Sequence, residues 1–473
     1  MTLAIIGAVA IVFGALFLGE QRTYIGILGY GYAALLYVAA SLRIGSEKAS
    51  RMLLYCTIAS IPFPFLIQFQ GKDAATVTTL LILSLAGLIV CGRIVNKEPV
   101  HKDIQGMYWY LPLCICVSFT AALVLNPYMI GQSVRYYLAN ISGILAYMAI
   151  LALIRTRKQV VVIVNIILAA LLIQSLFSLL QLKFPALADM LNIFGTRTGT
   201  LDAMFVDGIQ RATGTMGDYE LLAEWFLIGG ILSFYMVYET RRYWYCLPLM
   251  ASMAGILFTK TRSDILLFAV SFIIIFIILK AFNKDKRSIA VKVALIMICG
   301  MCLVAILFPG QAHEAVERIM LFMSSRNMFS PEAINRKEAW QSAQSMLREP
   351  AFFGNGLFNI ESMYASATMF HSLFLTLLYK VGFAGLALHA AFWLFLFTQA
   401  MKFLRRTRNV RSWYAVFFFT VALAAMLIDG IKIEYLRYAH TIQFAWVMYG
   451  LLAVLEQQKV RTYENTLVPE TAV

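Results

Sequence analysis

Residues 160–182 read VVVIVNIILAALLIQSLFSLLQL, an apolar run without a single charged side chain. A helix needs about 20 such residues to cross the hydrocarbon core of a bilayer, so this run predicts a transmembrane helix. The whole chain has the same character, because 61% of its residues are hydrophobic, only 14% are charged and the mean hydropathy is +0.76. This composition is typical of polytopic membrane proteins.

Apolar runs of comparable length recur along the chain. They lie at 3–19, 24–42, 52–70, 75–95, 107–125, 136–154, 160–182, 219–238, 243–258, 263–279, 289–308, 382–400, 413–428 and 437–455. We therefore expect an all-α fold, a polytopic transmembrane helical bundle of about 12–14 spans. The expected divisions are N-terminal transmembrane helices (1–182), an outer loop (183–218), transmembrane helices carrying outer-face arginines (219–308), a large and partly helical extracytoplasmic loop (309–370), C-terminal transmembrane helices (371–455) and a cytoplasmic tail (456–473).

Lysine and arginine are distributed unevenly between successive loops. The loops at 280–292 and 402–411 are rich in them, whereas the short loops on the alternate side hold one or two each. The positive-inside rule then orients the N-terminus inside and turns both long loops outward. The net charge of +14 is thereby explained by anchoring at the cytoplasmic face, and we expect no nucleic-acid partner.

The stretch from Pro309 to Val381 follows the run at 289–308 and contains a series of structural signals. Ser330-Pro331 is typical of a helix start, and Pro350 would end that helix. Gly354-Asn355-Gly356 predicts a turn. The chain then returns to the membrane at His371, where the apolar run HSLFLTLL begins.

This topology would bring Arg211, Arg262, Arg336 and His371 to the outer face from four separate places in the sequence. Arginine binds phosphate oxygens through a planar fork, and a histidine of near-neutral pKa can accept a hydroxyl proton. Simpler roles remain open, because solvated or snorkelling arginines and helix-capping histidines are common at membrane edges. Arg262 could instead pair with nearby Asp264.

Other charged residues near the same face have weaker signals. Arg135 and Arg437, near the outer ends of spans, could join a phosphate site or snorkel to the interface. The acids Asp218, Glu220 and Glu224 fit the start of a helix, where negative charge favours the dipole.

Taken in order, four motifs of the chain resemble the O-antigen ligase family. They are Arg211-Ala212-Thr213-Gly214, then Thr261-Arg262, then Arg336…Trp340…Pro350…Gly354-Asn355-Gly356, and finally His371-Ser372-Leu373-Phe374-Leu375…Gly382…Gly385-Leu386. The resemblance covers about 205–390, and Ser372 stands where the family usually has asparagine.

The resemblance implies that a glycan is moved from undecaprenyl diphosphate to an acceptor hydroxyl during assembly of surface polysaccharide or lipopolysaccharide. His371 would be the catalytic base, and Arg211, Arg262 and Arg336 would bind the diphosphate, with Arg135 and Arg437 as accessory residues. The partners would be a polyprenyl-diphosphate-linked glycan donor, a glycan or lipid-glycan acceptor and membrane lipid. The protein would be multi-pass in a bacterial cytoplasmic (inner) membrane, with its active site on the extracytoplasmic face.

Neither a metal site nor a cofactor is expected. The chain has no Asp/Glu cluster like the metal site of many nucleotide-sugar transferases, and its seven cysteines all lie in apolar runs. We therefore expect a metal-independent glycosyltransferase. An O-antigen or exopolysaccharide polymerase of the same family is the nearest alternative. A transporter of polysaccharide or lipid-linked glycan is a second, although paired interrupted spans are not evident in the sequence. A regulatory membrane protein without catalysis is a third.

Overall fold

The computed structural model describes residues 45–64, 66–69, 72–96, 106–184, 205–206, 209–282, 287–324, 352–358, 372–407, 409–433 and 438–467, together with Gly31 and Tyr37. Within them the chain is a bundle of α-helices. These are α1 (Ser46–Ser60), α2 (Val77–Asn96), α3 (Met107–Leu125), α4 (Ile130–Leu153), α5 (Arg157–Lys183), α6 (Tyr219–Thr240), α7 (Cys246–Thr259), α8 (Arg262–Phe282), α9 (Arg287–Leu307), α10 (Pro309–Ser324), α11 (Leu373–Arg406), α12 (Val410–Asp429) and α13 (Ala439–Leu467).

Seven of the described helices are long and apolar enough to cross a membrane, and three apolar stretches are shorter. The seven are α3, α4, α5, α6, α8, α11 and α12. The expected all-α polytopic fold is therefore confirmed. The first two expected spans, at 3–19 and 24–42, lie outside the described residues apart from Gly31 and Tyr37.

The expected span at 52–70 is wrong in its boundaries. Helix α1 runs from Ser46 to Ser60, and the hairpin of β1 (Leu66–Phe69) and β2 (Lys72–Thr76) follows it. Pro62 and Pro64 explain the difference, since proline lacks the N–H that a continuing helix requires. A second short ladder, β3 (Phe205–Val206) with β4 (Ile209–Gln210), lies just before Arg211.

Two further helices extend beyond their expected spans. Helix α11 begins at Leu373 rather than near residue 382, and it contains a break at Gly382, where φ is 69°. Helix α13 continues to Leu467, beyond the expected span end at 455.

Helix α6 is the centre of the bundle, and its apolar stretch is completely buried. It packs against α5, α7, α8 and α12. Gly229 and Gly230 permit this close packing, since a Cβ at Gly230 would lie 2.6 Å from the ring of Phe268. Small residues let helix backbones approach each other within a membrane.

The two ends of the bundle differ. Arg211, Lys260, Gly354 and Gly430 lie at one end, where backbone hydrogen bonds join several loops. We call this the upper end. The opposite, lower end is marked by the ion pair between Arg157 and Glu239, 3.0 Å apart.

Candidate active site

Arg211 lies in a segment that is docked into the upper end on both sides. The Ala212 N–H donates to Phe258 O at 3.0 Å, which places Arg211 beside the end of α7, a few residues before Arg262. On the other side, buried glutamine side chains of α5 bind the backbone of Thr213, Gly214 and Thr215. The structure therefore brings the Arg211 motif next to the segment that leads to Arg262.

The turn after Arg211 requires its glycine. Gly214 has a φ of 57°, and a Cβ there would lie 2.5 Å from Gln174 Oε1. Glycine adopts this left-handed conformation without the penalty that a side chain would bring. The turn leads to Asp218, whose carboxylate caps α6 by accepting from the N–H of Glu220 at 2.9 Å.

The Arg211 side chain is held close to the protein. Arg211 is only 4% exposed, and its guanidinium carbon lies 4.4 Å from the centroid of the Tyr219 ring. Arginine stacks well on an aromatic face, which holds the fork while leaving its edge for hydrogen bonding. A buried arginine of this kind is not a solvated loop charge.

Arg262 is the first residue of α8 and is half-buried. The acid considered as its partner, Asp264, is fully buried and pairs with Lys432, whose Nζ lies 2.6 Å from Asp264 Oδ2. Lys432 also lies 3.0 Å from Asp429 Oδ1. One lysine thus joins the start of α8 to the end of α12.

Further acids surround this lysine. Burial by itself would lower the pKa of Lys432, but the charges of Asp264, Asp429 and then Glu220 outweigh it and hold that pKa above its usual value. Glu224 is also buried and interacts electrostatically with Asp429, Asp264 and Lys432. Glu224 therefore belongs to this buried cluster as well as to the start of α6.

Among the residues that the structure describes, no group of three or more His, Cys, Asp or Glu side chains is arranged to hold a metal ion. In the cluster of Glu224, Asp264, Asp429 and Lys432, the lysine ammonium takes the central place between two carboxylates.

Lys260 ends α7 in the left-handed conformation and is also buried. Its ammonium group pairs with Glu314 of α10. The contact ties the first helix of the segment after α9 to the end of α7, close to Arg262 in sequence.

The break in α11 is closed by the Gly354-Asn355-Gly356 turn. The Asn355 N–H donates to Tyr379 O at 2.7 Å, and the Ala384 N–H donates to Phe352 O at 3.1 Å. Backbone groups freed by a break at membrane depth need partners inside the protein, and this turn supplies them. The predicted turn is confirmed, because Gly354 and Gly356 have φ values of 79° and 115°.

Lys380 lies at the same break and is buried. Its Nζ lies 3.6 Å from the centroid of the Tyr136 ring on α4. Arg135, the neighbour of Tyr136, is exposed near the start of α4 at the upper end. The structure therefore leaves the accessory role of Arg135 a prediction.

Three expected site residues, His371, Arg336 and Arg437, fall outside the described residues, as does the helix expected after Ser330-Pro331. Their roles stay predictions. The residues that directly follow His371 and Arg437 are described. The Leu373 N–H donates to Gly430 O at 2.8 Å, so the start of α11, two residues after His371, lies against the turn that carries Lys432.

Sequence reasoning missed five buried polar residues that support these motifs: Gln174, Gln181, Lys380, Asp429 and Lys432. It named Glu224 and Asp264, but only as an acid at a helix start and as a possible partner of Arg262. A usable signal was present, since polar or charged residues within or at the edge of apolar spans are costly and usually need partners. Which partner each residue takes depended on contacts between distant parts of the chain.

Comparison with known proteins agrees with the motif order. Residues 247–390 match the model of a family described as O-antigen ligase, a stretch that runs from α7 into α11. It contains Lys260, Arg262, the Gly354-Asn355-Gly356 turn and the break at Gly382. No curated protein matches the chain. The resemblance to the O-antigen ligase family is therefore confirmed for residues 247–390.

Proposed function

We propose that the protein is a membrane glycosyltransferase that moves a glycan from undecaprenyl diphosphate to the hydroxyl of a glycan or lipid-glycan acceptor. The observation that carries this proposal is the position of Arg211 beside the end of α7. The Ala212 to Phe258 hydrogen bond puts this buried arginine next to the segment leading to Arg262, at the edge of the O-antigen ligase domain.

Phosphate binding is assigned to Arg211 and Arg262 because arginine forms bidentate hydrogen bonds with phosphate oxygens, which a lysine cannot. Arg336 would complete the diphosphate site from the segment before the Gly354 turn.

In the proposed reaction, an acceptor oxygen bonds to the anomeric carbon of the donor glycan while the bond from that carbon to the lipid diphosphate breaks. His371 takes the acceptor's proton, and the electron pair of the broken bond leaves with the diphosphate. The arginines stabilise this charge, and each charge-assisted hydrogen bond contributes about 1.5–3 kcal/mol. The reaction as written needs no metal ion.

The upper end is proposed to face the extracytoplasmic side of a bacterial cytoplasmic membrane. Support comes from the lysine- and arginine-rich segments at the lower end, such as 402–411 at the end of α11, which the positive-inside rule retains in the cytoplasm.

The glycan profile of a deletion strain tests this function. Accumulation of lipid-linked polymer together with loss of surface-attached glycan would support ligase activity. Accumulation of single lipid-linked repeats would instead identify a polymerase. Intermediates trapped inside the cell, with no lipid-linked product outside, would show transport and overturn the proposal.

A further inference from the structure

Helix α5 presents two buried glutamines, Gln174 and Gln181, to the segment that carries Arg211. They are seven residues apart, so they lie on one face of the helix, two turns from each other. A buried amide is costly unless its donors and acceptors are satisfied. Both side chains meet that requirement by bonding to the backbone of residues 213–215.

Gln181 binds Gly214 at both of its backbone polar groups. Its Oε1 accepts from the Gly214 N–H at 2.8 Å and from the Thr213 N–H at 3.2 Å. Its Nε2 donates to Gly214 O at 2.9 Å. The side chain thus bonds to the backbone of the turn at both an N–H and a carbonyl, as a neighbouring strand would.

Gln174 holds the next residue of the same turn. Its Oε1 accepts from the Thr215 N–H at 3.1 Å. Its Nε2 donates to Pro62 O at 2.7 Å and also bonds to the Thr215 hydroxyl. The turn is therefore tied to α5 and to the end of α1 together.

The start of the Arg211 motif is restrained as well. Gln210, directly before Arg211, donates from Nε2 to Leu182 O at 3.3 Å at the end of α5. With the Ala212 to Phe258 bond, the residues on both sides of Arg211 are fixed to the bundle. The direction in which the arginine side chain leaves the backbone then depends on the contacts of α5.

We propose that Gln181 is a positioning residue for Arg211. By holding the backbone of residues 213–214, Gln181 orients the Arg211 guanidinium for the donor diphosphate. The inference rests on the proposed role of Arg211 in diphosphate binding. Gln181 acts through Arg211 and not on the substrate directly. A displacement of about 1 Å in a positioned group can lower turnover about 100-fold, so loss of this support should be measurable.

The test uses the full-length protein in proteoliposomes, with undecaprenyl-diphosphate-linked glycan extracted from the deletion strain as donor. Gln181→Met keeps the length of the side chain but removes its hydrogen bonds, and we expect kcat/KM for the donor to fall about 100-fold. Gln181→Glu keeps the acceptor for Thr213 and Gly214, and in its protonated form its hydroxyl can still donate to Gly214 O, so its loss should be smaller. The KM for the acceptor should stay unchanged in both variants.

Ser178→Ala is the matched control. Ser178 lies between the two glutamines on α5 and is equally buried, but its hydroxyl donates only to Gln174 O in its own helix, at 2.8 Å. Its removal should leave donor kinetics unchanged. A loss in Ser178→Ala equal to that in Gln181→Met would show a general packing effect and overturn the proposal.

A double-mutant cycle with Arg211→Ala makes the decisive comparison. If Gln181 acts through Arg211, adding Gln181→Met to Arg211→Ala causes little further loss. If the fold-losses in kcat/KM of the two single variants multiply in the double variant, this inference is wrong, while the role of Arg211 is unaffected. Full activity of Arg211→Ala alone would instead refute the proposed function at this residue. If Gln181→Met fails to insert into the membrane, the same cycle is run with Gln181→Glu.

Discussion

Lys432 Nζ lies 2.6 Å from Asp264 Oδ2, although 168 residues separate the two in sequence. The pair connects the helix that starts at Arg262 with the turn whose Gly430 carbonyl binds the start of α11. Two parts of the proposed site, one bearing an arginine and the other leading from the histidine, are thereby fixed to each other.

Removing the lysine alone should be more costly than removing both partners of this pair. Lys432→Met leaves the buried Asp264 and Asp429 without their cation, and breaking a buried pair in this way typically costs about 3–5 kcal/mol. Asp264→Asn should cost less, because Lys432 keeps its contact with Asp429. The double variant should lose less than the sum of the two. Thermal unfolding of the purified protein in detergent measures this. Strictly additive losses would show that the contact contributes little.

The pair should persist over the whole range of ordinary assays. Because the folded-state pKa of Lys432 is raised, its contribution to stability is complete below the unfolded pKa of about 10.4 and is lost only as pH rises through the folded value. Lys432→Met should therefore destabilise the protein throughout the range from about pH 6 to pH 9. A destabilisation that disappears within this range would contradict the ion pair.

Arg211→Ala and Arg262→Ala should each weaken use of the lipid diphosphate donor. Losing one charge-assisted hydrogen bond of about 1.5–3 kcal/mol corresponds to a roughly 10- to 150-fold lower kcat/KM. Lysine at either position should restore only part of the activity, since it cannot form the bidentate fork. Lys402→Ala, exposed at the lower end, is the control. Wild-type transfer in both alanine variants would refute the phosphate assignment.

His371→Ala should lower transfer by about 10²- to 10⁴-fold, the usual contribution of a general base, while donor binding continues. Wild-type activity should fall as pH drops through the imidazole pKa, near 6.5 if unperturbed. His371→Gln separates positioning from proton transfer, because glutamine keeps a hydrogen bond but carries no proton. If His371→Gln keeps near-normal turnover, and the acidic limb of its pH–activity profile is unchanged, His371 has a positioning role and is not the general base.

Gly354→Ala should disturb the closure of the broken helix. A Cβ there would lie 2.4 Å from Lys380 O, and the φ of 79° is unfavourable for alanine. We expect a lower unfolding temperature and reduced transfer. Gly131→Ala is the matched control, because its Cβ would meet nothing within 4 Å. Equal behaviour of the two variants would show that the turn does not support the break.

The orientation of the upper end can be read by cysteine labelling in a variant without the seven native cysteines. Thr200→Cys and Trp340→Cys should react with an impermeant reagent from outside. Asp285→Cys and Thr407→Cys should not react with the reagent until the membrane is permeabilised. Labelling in the opposite sense would remove the proposed site from the extracytoplasmic face.

The sequence by itself determined most helix positions and the glycine turns. The run at 160–182 forms α5 (Arg157–Lys183). It could be predicted because the length of an apolar stretch is a local property of the sequence, and a helix that crosses the bilayer needs a set length. Gly354 and Gly356 likewise revealed their turn, because their backbone conformations favour glycine over any other residue. The order of the motifs was enough to indicate the O-antigen ligase family.

Tertiary structure alone decided which helix lies at the centre and which polar residues meet. Helices α6 and α8 are both apolar, yet the apolar stretch of α6 is 100% buried and that of α8 only 28%, because lipid and protein core are equally apolar and hydropathy does not distinguish them. The contacts of Gln181 with Gly214 and of Lys432 with Asp264 depend on how distant helices pack. A buried polar group finds its partner in three dimensions, and no local pattern in the chain records which partner that is.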